Sequence, residues 1–431
     1  MSHAAPSNAS NTAAISLATL PPHSTAEIAA LADRYLTPNY RNVAPVFVRG
    51  EGPYNISLEQ ERYLDFSAGV AVNALGHNHP DLVAALRDQA ALLIHQSNYW
   101  HNAHAAPLAE ALCLQFSRAT NGLQARCYFC NSGAEGTEAA VKLARRYHSR
   151  IRGQERPGII TFEGSFHGRT FAAMTATAQP KYQDGFAPLL PGFAYAKFGD
   201  LASVQALLDD PVFGPTVGAV AVEIVQGEGG VRLAPPGFFQ QLRALCDDRG
   251  LLLMLDEVQT GLGRTGSFFA FEQEGIVPDV LWLAKALGGG VPVGAVLARE
   301  EVAQALQPGT HASTFGANAL VTAVGRVILQ VFERDGLVAH SAQMGAYLLA
   351  ELKKAFAGRP YVTDIRGRGL MCGVEITSDP KPVVDAARRR HLLLSVAGTR
   401  VLRLTPPLIV DRAHCDEAVA ALLAAADEVL G

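Results

Sequence analysis

Leu251-Leu252-Leu253-Met254-Leu255-Asp256-Glu257 is the stretch that decides the fold class. A continuous apolar run of this length reads as a strand buried on both faces, the signature of a parallel sheet. Asp256 stands at its carboxyl end, the edge where open α/β sheets place ligands. An ionised acid there needs a cationic partner, because burying a lone carboxylate is costly; an Asp that caps the next turn is the plainer alternative. Outward from this run, Gly158–Phe162, Val217–Val225 and Gly294–Leu297 repeat the apolar pattern, with helical segments between them. Strands interleaved with helices predict an α/β fold whose sheet is mainly parallel and covered on both faces.

The alternation runs from about residue 70 to 320 and marks a large domain. Residues 321–431 read as a smaller α+β domain. A long helix or helix pair over Leu320–Lys354 comes first, then strands at Leu370–Ile376 and Val401–Leu404, then an amphipathic helix over Cys415–Leu430. Residues 25–69 mix short helical and extended patterns and are expected to join the smaller domain. The first 24 residues are rich in Ala, Ser, Asn and Pro, without the basic and apolar regions of a secretory signal, and read as a flexible extension.

With 431 residues, a formal net charge of −4 and 18% charged residues, the chain has the composition of a compact soluble protein and lacks a basic footprint for nucleic acid. Its longest apolar runs are too short to span a bilayer. Six cysteines in so long a chain read as reduced thiols of a cytoplasmic protein. Cys127 and Cys130 form a lone CxxC, read as structural. His77 and His79 have no neighbours that complete a metal set, so no metal is expected.

Downstream lies Val280-Leu281-Trp282-Leu283-Ala284-Lys285-Ala286-Leu287, followed by Gly288-Gly289-Gly290. A lysine enclosed by apolar residues is poorly solvated, which lowers its pKa and frees a nucleophilic amine. A lysine that packs its stem and snorkels its head is the competing reading. Beside a strand-end Asp, the lysine suggests the protein's side of pyridoxal 5′-phosphate (PLP) chemistry: a Schiff base at one end of the ring and an acid at the pyridine nitrogen. A phosphate site is offered by Asn131-Ser132-Gly133-Ala134-Glu135, which opens a helical pattern with acids in its first turn and Arg145, Arg146 and His148 in its last. Phe166 and His167 begin a loop in which an aromatic could stack on a heteroaromatic ring, and Arg169 offers a fork for a carboxylate. Glu223 and Arg403 are each charges among apolar residues, and each needs a partner.

Nine ordered motifs carry a resemblance over roughly residues 40–408. They are FSAGVAVNALGHNHP (66–80), NSGAEGTEAAVKLAR (131–145), FHGRTFAAMTATAQPKYQDGF (166–186), VEIVQGEGGV (222–231), LDEVQTGLGRTG (255–266), LAKALGGGVPVGA (283–295), HASTFGAN (311–318), RGRGLMCGVE (366–375) and VLRLTPPL (401–408). Together they resemble the class III, or subgroup II, aminotransferases of PLP fold type I, nearest to their acetylornithine aminotransferase branch. The resemblance implies a large domain with a seven-stranded sheet and a smaller α+β domain. It puts the PLP Schiff base and the proton shuttle on Lys285 and the contact to the ring nitrogen on Asp256. Val258 would pack on the ring and Gln259 lie near its hydroxyl, with Ser132, Gly133 and Ala134 at the phosphate. Phe166 would stack on the ring, and His167 belongs to the same cofactor loop. Thr314 would reach the cofactor phosphate of a neighbouring subunit, which implies a homodimer or larger assembly. Tyr40, Arg169 and Ser313 would serve the substrate, and Glu223 would cover Arg403 until a carboxylate of 2-oxoglutarate claims it. The implied reaction is transfer of an amino group from N2-acetylornithine to 2-oxoglutarate. Ornithine, succinylornithine, succinyldiaminopimelate and 4-aminobutyrate are the alternative donors, and a PLP aminomutase is a more distant alternative. One departure bears on the donor: where that branch carries an SNLF-like run, this chain has Ser97-Asn98-Tyr99-Trp100-His101-Asn102.

Overall fold

A computed structural model describes residues 23–40 and 43–431. Most of the N-terminal extension expected from the sequence therefore lies outside the described residues. The chain is first described in a helix, Thr25–Tyr35, capped by Ser24 and Glu27 in a reciprocal box.

A seven-stranded sheet forms the centre, in the order Ala125–Cys130, Gly294–Arg299, Val280–Leu283, Leu252–Asp256, Val217–Glu223, Gly158–Phe162 and Phe193–Ala196. Leu252–Asp256 pairs in parallel with both neighbours, and only Gly294–Arg299 runs against the rest. The α/β reading of fold type I, with a mainly parallel sheet, is correct. All five residues of Leu252–Asp256 are buried. Each such Leu or Met withdrawn from water contributes about 1.5–3 kcal/mol, so the middle of the sheet is a firm place on which to mount a site.

On one face, the helix Gly133–Arg146 lays Ala139, Ala140, Leu143 and Ala144 against the sheet. The small side chains let it pack closely and aim its N-terminus at the carboxyl end of the strands. The long helical stretch expected after residue 320 is a pair, Ala319–Arg334 and Leu337–Ala355, broken at Gly336 where φ is +60°. Beyond it, Val362–Arg368, Met371–Ile376, Val401–Leu404 and Ser395–Ala397 make an antiparallel sheet. An N-terminal sheet, Phe47–Glu51, Tyr54–Ser57 and Arg62–Asp65, takes Leu392–Leu393 as its fourth strand, so the two ends of the chain are woven together.

A break in regularity follows Asp65. Ala68, Gly69, Val70 and Ala71 all have positive φ, between +47° and +65°. A left-handed turn costs about 1–2 kcal/mol for each residue other than glycine, and Val70 is β-branched, so the surroundings must impose it.

The CxxC thiols sit in the sheet strand Ala125–Cys130. Burial pushes Cys130 up to about 12 and Cys127 well above its usual range, so both are protonated thiols that fill space.

Candidate active site

The carboxyl ends of the central strands open into a cavity of about 430 Å³, lined among others by Gly133, Phe166, Asp256, Val258, Gln259 and Lys285. Asp256 is 5% exposed and fully engaged. One carboxylate oxygen accepts from the Val258 N–H at 3.0 Å, and the other meets Nδ1 of His167 at 2.7 Å. Burial opposes a charge on His167, yet the hydrogen bond and charge of Asp256, with Glu223 adding, hold its pKa above the ordinary histidine value. The hydrogen bond between the two buried side chains fixes the carboxylate's orientation.

Lys285 begins a short 3-10 turn straight after Val280–Leu283 and takes a positive φ of +46°. Backbone strain in a non-glycine residue at a cavity is a pointer to function. Burial, reinforced by the positive charge of Arg403, pulls the Lys285 amine down to about 8, with Glu228, Asp256 and Glu223 opposing. Near neutral pH a useful fraction of the amine is therefore unprotonated and nucleophilic. We expect the rate of PLP uptake by the apoprotein, followed by absorbance, to rise with pH and to level off above about 8. A rate that keeps climbing toward the ordinary lysine value of about 10.4 would show a solvated amine instead.

The helix mouth borders the same cavity. Ser132 caps the helix by accepting from the Glu135 N–H at 3.2 Å, and the N–H groups of Gly133 and Ala134 have no acceptor within the helix. Gly133 is glycine for a reason: a Cβ there would lie 2.9 Å from both Cγ atoms of Val258. Gly168, at φ +132°, brings the Phe166–Arg169 loop within a Cβ's reach of Ala134. Phe166 is half-buried and edge-on to Tyr182, and the Arg169 guanidinium lies over the Tyr182 ring at 3.9 Å. Arg169 is exposed and lines the cavity. Gln259 keeps a buried Oε1 without a partner.

These residues fit the phosphorylated pyridine that the sequence implies. The helix mouth suits its phosphate, Asp256 its ring nitrogen and Gln259 its ring hydroxyl, with Val258 and Phe166 for its faces. The unpartnered Gln259 oxygen is otherwise unexplained.

The expected pairing of Glu223 with Arg403 is corrected. Glu223 sits beside Asp256 in register and accepts from the N–H groups of Phe166 at 3.1 Å and Gly227 at 3.2 Å. Burial raises its pKa well above the usual carboxylate range, with His167 opposing and Asp256 adding. Arg403 instead holds Glu228, beyond the turn at Gly227, and also donates to Ser395 Oγ at 3.0 Å. The turn explains the change, since it folds Glu223 back onto backbone donors and sends Glu228 across to the Val401–Leu404 strand. Arg403 is 2% exposed and the Glu228 side chain 21%, so the pair is buried at one end and open at the other.

Other expected residues lie apart. Tyr40 is 77% exposed and does not line the cavity. Ser313 is not in the wall but accepts from Asn131 Nδ2 at 3.1 Å, and Asn131 is. Thr314 is exposed on the outer side of the same loop. Among cavity residues that sequence reading gave no role are Val72, Glu228 and Thr260. Glu228 had a signal, a lone acid in a glycine-rich turn between two strands; Val72 had none.

Known proteins resemble the chain over most of its length. The family model described as aminotransferase class-III matches residues 35–426. An acetylornithine aminotransferase from Aquifex aeolicus is 44% identical over 90% of this chain and 98% of its own length. One from Gloeobacter violaceus is 46% identical over 90% and 95%. Among solved structures, the ornithine aminotransferase of Toxoplasma gondii superposes with a TM-score of 0.89 at 32% identity, covering 95% of this chain and 96% of that one. The acetylornithine aminotransferase of Elizabethkingia anophelis gives 0.83 at 29% identity, covering 94% and 100%.

Proposed function

The chain belongs to the class-III aminotransferases, PLP-dependent enzymes, and from that footing we propose that it transfers the ω-amino group of N2-acetylornithine to 2-oxoglutarate. The products are N-acetylglutamate semialdehyde and glutamate, a step of arginine biosynthesis. The observation that carries this reading is buried Arg403 held by Glu228, which lines the Lys285 cavity. An enzyme of this kind must accept in turn an amine end without a carboxylate and a keto acid with two. A masked arginine meets both needs: covered, it leaves a neutral wall, and uncovered, it is a carboxylate fork.

Lys285 supplies an amine whose lowered pKa lets it give up and regain a proton at neutral pH, the behaviour of a general base that takes a proton from the amine-bearing carbon and then gives one back. Asp256, oriented by His167, favours a proton on a ring nitrogen facing it. The N–H groups of Gly133 and Ala134 hold phosphate oxygens, and Arg169 takes a substrate carboxylate. When bound, the pyridoxal ring supplies an electron sink for the charge left as a proton departs the amine-bearing carbon. Because donor and acceptor use one cavity in turn, ping-pong kinetics are expected.

Half-reaction spectra recorded side by side with acetylornithine, succinylornithine, ornithine and 4-aminobutyrate test the donor. Acetylornithine should react fastest, and a clear preference for any other donor overturns the assignment. Arg403→Ala should slow the 2-oxoglutarate half-reaction about 10²-fold, the scale of truncating one partner of a buried charge pair, while changing the amine half-reaction only about 3-fold. Equal losses in both halves would remove the masked arginine from the mechanism.

The working unit is proposed to be a cytoplasmic homodimer. Among the described residues no helix is long and apolar enough to cross a membrane. Thr314 faces outward beside Phe315, which is 61% exposed, and near the loop bearing Tyr99 at 91% and Trp100 at 68%. Asn98 ties the two loops together by donating to the carbonyls of Ser313 and Gly316. A second copy is the natural cover for such a surface, and sedimentation of the purified protein as a monomer would count against it.

A further inference from the structure

We propose that Asp65 is a positioning residue for the amine donor: it holds residues 68–71 in their left-handed turn and thereby seats Val72 in the wall of the Lys285 cavity. The inference rests on the functional reading above and extends it to a segment with no part in holding the cofactor.

Four consecutive positive φ values, three of them at Ala68, Val70 and Ala71, form a conformation that no residue there prefers. Such a turn persists only where its neighbours over-determine it, and here the clamps can be named. Asp65, 3% exposed, accepts four hydrogen bonds. One oxygen takes the N–H groups of Ser67 at 3.0 Å and Ala68 at 2.7 Å, which start the turn. The other takes Asn55 Nδ2 at 3.2 Å and His77 Nε2 at 2.9 Å, and His77 lies just past the turn's far end. His77 is itself anchored, since its backbone exchanges both hydrogen bonds with Gly52. A second clamp comes from the chain after Arg403. Thr405 donates from its N–H to Phe66 at 2.7 Å and from its hydroxyl to Ser67 at 3.0 Å, and the Leu408 N–H reaches Ala74 at 2.7 Å.

Val72 is the first residue after the turn, and it lines the cavity with Lys285. Asn73 faces the glycine loop after Lys285, where a Cβ on Gly290 would come 3.8 Å from its Oδ1. The turn is thus wedged between the segment that follows Arg403 and the segment that follows Lys285. None of the cofactor's proposed contacts, at Ser132–Ala134, Asp256 and Gln259, lies on it. Loosening the turn should therefore blur the fit of the substrate and leave the cofactor's hold unchanged.

The test compares Asp65→Ala and Asp65→Asn with the wild-type holoenzyme. Asparagine keeps an oxygen for the Ser67 and Ala68 N–H groups, whereas alanine leaves them without an acceptor. In Asp65→Ala, KM for the amine donor should rise about 10-fold or more, with kcat and the PLP dissociation constant each within about 2-fold, and Asp65→Asn should recover most of the loss. Hydrogen exchange at Ser67 and Ala68 should accelerate in the alanine variant and not in the asparagine one, a readout that needs no activity. A rise in the PLP dissociation constant matching the rise in KM, or an unchanged KM, overturns the proposal. So does an asparagine variant no better than alanine. Should Asp65→Ala fail to fold, Ala71→Gly serves, because glycine accepts φ +65° without strain. That variant should keep its Tm while KM rises about 2- to 3-fold; a lowered Tm with unchanged KM is the contrary result. A wild type inactive toward every ω-amino donor would defeat the functional reading, while the exchange data would still decide whether Asp65 holds the turn.

Discussion

Lys285→Ala should lose transamination by at least about 10⁴-fold in kcat, the upper scale for removing a positioned general base, while the protein stays folded and still binds PLP loosely. The argument begins with what the substitution leaves. Ser132, Gly133 and Ala134 at the helix mouth, Asp256 with its His167 partner and the unpartnered Gln259 oxygen are all untouched, so a phosphorylated ring retains its non-covalent contacts. What disappears is the one amine in the cavity whose pKa burial has brought down to about 8. Among the described residues no other lysine lines the cavity to replace it. Stability should hardly suffer, since a poorly solvated amine is removed and alanine meets the same backbone strain at φ +46°. The measurements are single-turnover half-reactions, PLP retention on dialysis, and Tm. Full activity in this variant would refute the assignment of Lys285. Loss of activity with an equal loss of fold would leave Lys285 a packing residue.

Much of this site is legible in the sequence because of where its charges stand. A strand buried on both faces must be apolar throughout, so Leu252–Leu255 and Val280–Leu283 announce themselves, and the first charge after each run, Asp256 or Lys285, marks the sheet's carboxyl edge. That logic is blind to direction. Gly294–Arg299 is as apolar as its neighbours and runs against them, since both faces are covered whichever way a strand points. It is equally blind to pairing. Glu223 ends a strand and Glu228 follows it five positions later, and the choice of partner for Arg403 is made by the Gly227 turn, whose geometry no spacing encodes. The left-handed turn at 68–71 is hidden for a different reason. Its residues are Ala, Gly, Val and Ala, ordinary in any helix or strand, and the cause of the turn lies in Asp65, His77 and Thr405, the last of them more than 300 positions away. Tyr40 was expected at the substrate, but it is exposed and lines no part of the cavity in a single chain.

Asp256→Ala should lower kcat by about 10³-fold or more, but here chemistry and stability must be pulled apart. The carboxylate is bonded to the buried His167, and leaving a buried polar group without its partner costs about 1–3 kcal/mol. His167 would respond by giving up its proton, since burial alone already disfavours the imidazolium and the Asp256 carboxylate is what raises its pKa. Asp256→Ala should therefore show a lowered Tm that worsens as the pH falls, because a neutral buried histidine must be protonated at a cost. Asp256→Asn separates the two effects. Its amide can still accept from the Val258 N–H and bond to a neutral His167 tautomer, so Tm should stay close to wild type. Its missing negative charge still removes the reason for a ring nitrogen opposite it to hold a proton, so the rate should fall nearly as far as in the alanine variant. An asparagine variant with wild-type kcat would mean that Asp256 matters only as a hydrogen-bonded strut for the loop carrying Val258 and Gln259. The electrostatic role assigned to it would then be lost, and with it the reason for a buried acid at the end of the central strand.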